Sequence, residues 1–219
     1  MLEIEFWSDL HCPWSHVASI RLRRALAQLD TPARIHWRCW PLELVNHSGT
    51  PRNTIETERP VLAQLEPDAF APWTRTDYPD TFLPAIAALK CAALQGPEAE
   101  DRYDSALRFG FFRDICNLAL TDDLFHLAEA AGLDVDRLAS DFWAGHGQAA
   151  VWQDWQDSKT RAIQGSPHLF VVGSDLNVHN PGIQSHDSEF GIPIIDGDDP
   201  RFLEGWVRQA RDAMVAAGR

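Results

Sequence analysis

The chain has 219 residues, of which 45% are hydrophobic and 23% charged, the balance of a globular protein. Asp and Glu number 32 against 19 Lys and Arg, for a formal charge of −13. Such a surface repels phosphate backbones and anionic lipid, which argues against nucleic acid or a membrane surface as partner. No uninterrupted apolar run approaches the roughly 18 residues of a membrane span.

The opening MLEIEFWSDLHCPW lacks the basic start and unbroken apolar stretch of a secretory leader. The expectation is a cytoplasmic protein whose cysteines, Cys12, Cys39, Cys91 and Cys116, are free thiols. Their wide, irregular spacing argues against a zinc site.

Residues 3–10, EIEFWSDL, alternate as a strand does, with Ile4 and Phe6 on one face. Pro13 suits the first position of a helix, where its missing N–H costs nothing. Trp14, Ala18, Leu22, Ala25 and Leu29 then make a helical stripe, stopped at Thr31-Pro32. Residues 33–44, rich in aromatic and β-branched side chains, predict a second strand, so the first 44 residues form a βαβ unit. Residues 45–83 are Pro-rich and poorly periodic, a loop with one short helix near 58–66.

From Pro84 to about Gln164 the pattern is helical. One helix stops at Gly96-Pro97, and a second covers 97–119. Thr121 is expected to cap a third and Asp134 a fourth, with a last helical segment from about Gly147 to Gln164. Short connections make this a bundle. Strand character returns at 167–173, and the turn at 174–177 leads into a hairpin. Asp199-Pro200 then opens a final helix with Phe202, Leu203, Trp206, Val207, Ala210, Ala213 and Met214 on its apolar face. The layout is α/β: an outer unit of residues 1–60 and 160–219, with 61–159 as an inserted all-helical domain.

The chemistry concentrates at HCPWSH, residues 11–16. Cys12 falls at the N-cap of the first helix, where unpaired N–H groups and the positive dipole end favour an anion. A thiolate there would be a nucleophile at neutral pH. Ser15 lies one turn on, on the same face, and its hydroxyl is expected to donate to that thiolate. A serine cannot attack a disulfide, so a mixed disulfide on Cys12 would wait for an outside thiol. The alternative is that Cys12 is one more small buried residue, as the other three cysteines are expected to be. A second signal is GSPHLF, 165–170, where the Ser166–Pro167 bond precedes a strand and can be cis at small cost.

Together these segments resemble the thioredoxin superfamily, in the branch of DsbA-like and FrnE-type oxidoreductases. The resemblance is carried by FWSDLHCPWSHVA, LKCAALQGPEAEDRYDSALRFGFF and GSPHLFVVGSDLNVHNPGI and spans essentially the whole chain. It implies a thioredoxin-like fold (βαβ…ββα) with an inserted helical domain. It further implies Cys12 as nucleophile, Pro167 as a cis-proline, Ser166 as a backbone partner for an extended peptide or thiol, and Pro13, Trp14 and His168 as the rest of the binding rim. The departure is Ser15, because dithiol members carry cysteine there. Kappa-class glutathione transferases and 2-hydroxychromene-2-carboxylate isomerases share the architecture, but a serine stands at the position of Cys12 and activates a bound thiol.

Three readings follow. In the first, Cys12 forms mixed disulfides with a protein thiol or with a small thiol such as glutathione or mycothiol as co-substrate, with no tightly bound cofactor. In the second, the small thiol is bound and used for transfer or isomerisation. In the third, the fold is redox-silent and binds a partner. The inserted helices could pack internally or against a second copy, giving a homodimer. A metal site from Cys12, His16 and His168 fits thiolate and imidazole chemistry but lacks compact ligand spacing. A simpler role for His11, His16 or His168 is to hold the Cys12 thiolate.

Overall fold

The computed structural model describes residues 1–216. Strand β1 (Leu2–Ser8) turns Leu2, Ile4 and Phe6 into the core. After a four-residue turn Pro13 opens α1 (Pro13–Gln28), with Cys12 at the N-cap in extended conformation (φ −80°, ψ 114°). Asp30, at φ 44°, turns the chain into β2 (Ala33–Cys39), which runs parallel to β1 from Leu2↔Ala33 to Ser8↔Cys39. This is the expected βαβ unit, but the strand stops at Cys39 rather than residue 44. Pro41 has no N–H to give a ladder, and the chain instead enters the short α2 (Leu42–Val45).

Helix α3 (Arg52–Leu62) starts earlier than expected and carries the exposed Pro60 within it. The bundle follows: α4 (Leu83–Ala93), α5 (Pro97–Phe112), α6 (Thr121–Ala130), α7 (Val135–Trp143) and α8 (His146–Ser158). The α4 N-terminus is capped from outside, since the Glu43 carboxylate accepts from the amides of Phe82 and Leu83 at 3.0 and 3.1 Å. Asp134 caps α7 as expected, accepting from Arg137 N at 3.0 Å. Thr121 does not cap α6; Leu120 holds that position and Thr121 is already helical. Nor does α5 reach residue 119, because Ile115 takes a φ of 61°. Helix α8 lies tightly on α4, since a β-carbon on Gly147 would sit 2.1 Å from Ala87 O.

Strand β3 (His168–Val171) pairs antiparallel with β1, and β4 (Asn177–His179) antiparallel with β3 in the expected hairpin. The sheet order is β2-β1-β3-β4. A second hairpin, β5 (Ile183–Asp187) and β6 (Pro193–Asp198), was not expected. Its residues are mostly polar and exposed, so no hydrophobic alternation marks them. The closing α9 (Phe202–Ala216) buries Leu203, Trp206, Val207 and Ala210 and packs on α1 and β1.

Two buried ionic clusters tie the helices to the sheet. Arg108 of α5 donates to Asp104 at 3.0 Å, to Ser8 Oγ at 2.8 Å and to Ser15 Oγ at 2.7 Å. Arg23 of α1 meets the same Asp104 at 2.8 Å. In the other cluster Asp154 of α8 joins Lys90 of α4 at 2.7 Å, Arg38 of β2 at 2.8 Å and the Cys39 amide at 2.9 Å. Charges this deep are tolerated only when paired and hydrogen-bonded. Arg108→Met should lower unfolding stability by about 3 kcal/mol, read from urea denaturation, because Ser8 and Ser15 lose a donor and Asp104 keeps Arg23 alone. A change near zero would show that Arg23 suffices.

Candidate active site

The loop between β1 and α1 is built around Asp9. Its Oδ1 accepts from His11 N at 2.6 Å and its Oδ2 from Leu42 N at 2.6 Å. Its own amide donates to Ser166 Oγ at 3.0 Å, and its carbonyl accepts from Cys12 N at 3.3 Å and from Ser15 Oγ at 2.9 Å. Burial pushes the Asp9 carboxyl up to about 6 despite the two amides that favour its charge.

The Ser166–Pro167 peptide bond is cis, and the Cys12 thiol donates to Ser166 O at 3.1 Å. The sulfur therefore meets the loop just before β3. Cys12 is only 4% exposed. Burial pushes its thiol up to about 11, against bonds from Ser166 and the Ser15 backbone that pull it down; the negative charges of Glu58 and Asp9 push it further up. The expectation of a thiolate held by the helix end is thus reversed. The N-terminal dipole acts over the first turn of a helix, whereas desolvation acts on the whole charge.

Ser15 is corrected as well. Its hydroxyl donates to the carbonyls of Asp9 and Cys12, at 2.9 and 2.7 Å, and accepts from Arg108. With its one proton shared between the two carbonyls and a lone pair taken by Arg108, it braces the helix start and does not reach the thiol. Trp14 is half-buried, and its side chain lies near enough to the Glu58 carboxyl of α3 to oppose the upward push of burial on that group. Pro167 is buried beside Ser166. His168 turns elsewhere: Nε2 meets Asn177 Oδ1 at 3.0 Å and Nδ1 accepts from Gln164 N at 3.1 Å. His11 stacks on Phe82 with ring centroids 4.0 Å apart and meets Tyr78 Oη at 3.0 Å. His16 stacks on Phe112 and bonds Ala69 O at 3.1 Å. Cys12, His16 and His168 are therefore not assembled into a ligand set, and no cluster of three or more His, Cys, Asp or Glu is placed to hold a metal among the described residues.

Sequence reasoning missed Asp9, Glu58 and Arg108. The last two come from α3 and α5, and no local spacing connects them to residues 12–15. Burial pushes Glu58 up to about 7, with Trp14 opposing and the nearby Asp187 adding to the rise.

The model of the DSBA-like thioredoxin domain family matches residues 3–188. The chain belongs to that family. Its fold is shared by the cytosolic disulfide reductase DsbM of Pseudomonas aeruginosa, at TM-score 0.61 and 14% identity over 99% of this chain and 98% of that one; DsbM has also been solved with GSH. A 2-hydroxychromene-2-carboxylate isomerase is as similar, at TM-score 0.62 and 14% identity over 99% of this chain and 98% of the other. At such identities the likeness is one of fold. Among curated proteins the chain resembles the ClpXP adapter protein SpxH of Halalkalibacterium halodurans, 32% identical over 112 residues, 51% of this chain and 36% of that protein. It spans 36% and 33% of the lengths of the curated relatives it matches. In this chain a serine stands one turn after the cysteine, turned inward onto Arg108.

Burial lowers both His11 and His16 to about 3 from an ordinary value of 6.5. A folded value below the unfolded one gives stability present above pH 6.5 and lost as pH falls toward 3. Asp9 and Glu58, raised by burial, push the other way over pH 4–7. The difference between wild type and His16→Phe isolates the imidazole: the variant's urea midpoint should fall less on acidification from pH 6.5 to 4. Parallel curves would mean that His16 is not held neutral.

Proposed function

We propose that the protein is a thiol–disulfide oxidoreductase that works through Cys12 alone, in the cytoplasm, on low-molecular-weight or protein disulfides. The observation that carries this reading is the 3.1 Å contact between Cys12 Sγ and the carbonyl of the cis Ser166–Pro167 unit. It places one sulfur against a backbone edge where an extended peptide or a small thiol can lie. That DsbM has been solved with GSH lends support to a small thiol such as glutathione, or mycothiol, as co-substrate rather than a tightly bound cofactor.

The chemistry balances in two exchanges. Cys12 gives up its proton and its sulfur attacks a disulfide R–S–S–R′; the Cys12–S–S–R bond forms, and R′S⁻ leaves and takes up a proton. An external thiol R″SH, as thiolate, then attacks the R sulfur, releasing R–S–S–R″ and returning Cys12 to the thiol. No second cysteine competes, because Ser15 stands one turn on. A thiol held near 11 is a strong nucleophile once ionised but seldom ionised, and it is a poor leaving group. Both steps are slow near neutrality, and the mixed disulfide persists. Relief of that burial when the site opens to a substrate would let the thiol ionise.

The same burial favours a second reading, in which Cys12 is inert and the chain binds a partner; the curated SpxH relatives are named as adapters. Intact mass after incubation with oxidised glutathione or another small disulfide separates the two. One adduct on wild type and none on Cys12→Ser is expected. No adduct even at pH 9 favours the binding reading, and conjugation or isomerisation surviving in Cys12→Ser would favour a thiol-dependent transferase or isomerase.

A further inference from the structure

The tip of hairpin β5–β6 holds three large apolar side chains in solvent. Phe190, in the turn, is 79% exposed, Ile192 43% and Ile194 44%. Ile194 pairs with His186 across the hairpin, and directly paired residues share a face. Ile192 lies two residues before it, on that same side. Pro193 points the other way and is buried, on the strand that packs against α3. One face of the hairpin is thus seated on the molecule, and the other presents Phe190, Ile192 and Ile194 outward. Apolar side chains grouped and rimmed by charge are the pattern of protein contacts, whereas single exposed ones need no explanation.

The hairpin is held in shape at both ends. At the tip, Ser188 N donates to Ile192 O and Gly191 N to Ser188 O, each at 2.9 Å, and Ile192 N donates to Ser188 Oγ at 3.0 Å. Gly191 takes a φ of 69°, which glycine adopts without strain. At the base, the Asp198 carboxylate accepts from Arg21 of α1 at 2.6 and 3.0 Å, and Asp199 N donates to Gly182 O at 2.7 Å. A strip fixed before contact loses little freedom on contact. Its rim is acidic: residues 187–199 hold five acids and no Lys or Arg. Asp187 and Glu189 flank the turn and are exposed, and the neighbouring imidazole of His186 is taken by Asp196 at 2.9 Å. A symmetric contact with a second copy would set these acids against themselves, on chains that each carry −13. The complementary surface is therefore apolar at its centre and cationic at its edge.

We propose that Phe190, Ile192 and Ile194 dock this chain onto a different protein, in an apolar seat ringed by Lys or Arg side chains that face Asp187 and Glu189. The surface uses neither Cys12 nor the Ser166–Pro167 unit, so it stands whether or not Cys12 exchanges disulfides.

The test places the photo-crosslinker benzoylphenylalanine at Phe190 of the full chain, irradiates it in the native host and identifies the linked peptide by mass spectrometry. The same crosslinker at Gln156, exposed on α8, is the control. One discrete product with a second protein is expected from position 190 and not from 156, its linked segment apolar and flanked by Lys or Arg. Its yield should fall severalfold when Asp187→Asn and Glu189→Gln are added. With that partner purified, Phe190→Ser should weaken binding about tenfold or more while keeping the wild-type urea midpoint. Salt at about 0.5 M should weaken binding by wild type and not by the doubly neutralised variant. Cys12→Ser should change neither result. A product joining two copies of this chain, adducts to lipid, no discrete product, or a partner indifferent to Phe190→Ser or to the loss of the two acids would overturn the proposal, and would leave exchange at Cys12 untouched.

Discussion

A single contact between two distant parts of the chain organises this molecule: the Cys12 thiol donating to the Ser166 carbonyl across 154 residues. It joins the start of α1 at Pro13 to the approach of β3, the antiparallel neighbour of β1. Asp9 reinforces the junction, because its amide holds Ser166 Oγ while its carbonyl holds Ser15. The β1–α1 turn and the β3 approach are thereby one structural unit, and the sulfur lies at its centre.

Below that unit the helical segment supplies the floor. Arg108 reaches from α5 to Ser15 and Ser8, so the start of α1 is braced by a residue of the bundle. This accounts for the serine in physical terms. Its hydroxyl accepts from the guanidinium and donates to two carbonyls; a thiol, a weaker donor and acceptor, would fill the first two roles less well. The start of α1 is thus tied to the bundle, and burial keeps the proton on the sulfur above it.

Much of the fold was legible in the chain, because it is written in local chemistry. Pro13 marks the start of α1, Cys12 its N-cap, Asp134 the cap of α7, and the 174–177 turn the β3–β4 hairpin. Elements without a local signal were missed. Hairpin β5–β6 is mostly polar and exposed, while α3 was expected but placed too far along, near 58–66 instead of Arg52–Leu62, because Pro60 lies inside it. At the site, the placement of Cys12 against Ser166 and Pro167 followed from the motifs and the family resemblance. The ionisation of Cys12 did not, since a helix terminus is visible in sequence and the depth of burial is not. Ser15 likewise looked free to serve the thiol because Arg108, 93 residues away, cannot be paired with it from spacing.

The central claim is that Cys12 is a nucleophile stored in its protonated form against the Ser166 carbonyl. The most direct measurement is the rate of Cys12 alkylation by iodoacetamide as a function of pH, in a variant with Cys39, Cys91 and Cys116 replaced by alanine. The account predicts a rate that keeps rising through pH 9 and 10 toward an apparent pKa of about 11. A rate that levels off at or below pH 8 would mean a thiolate at neutral pH, and would contradict it.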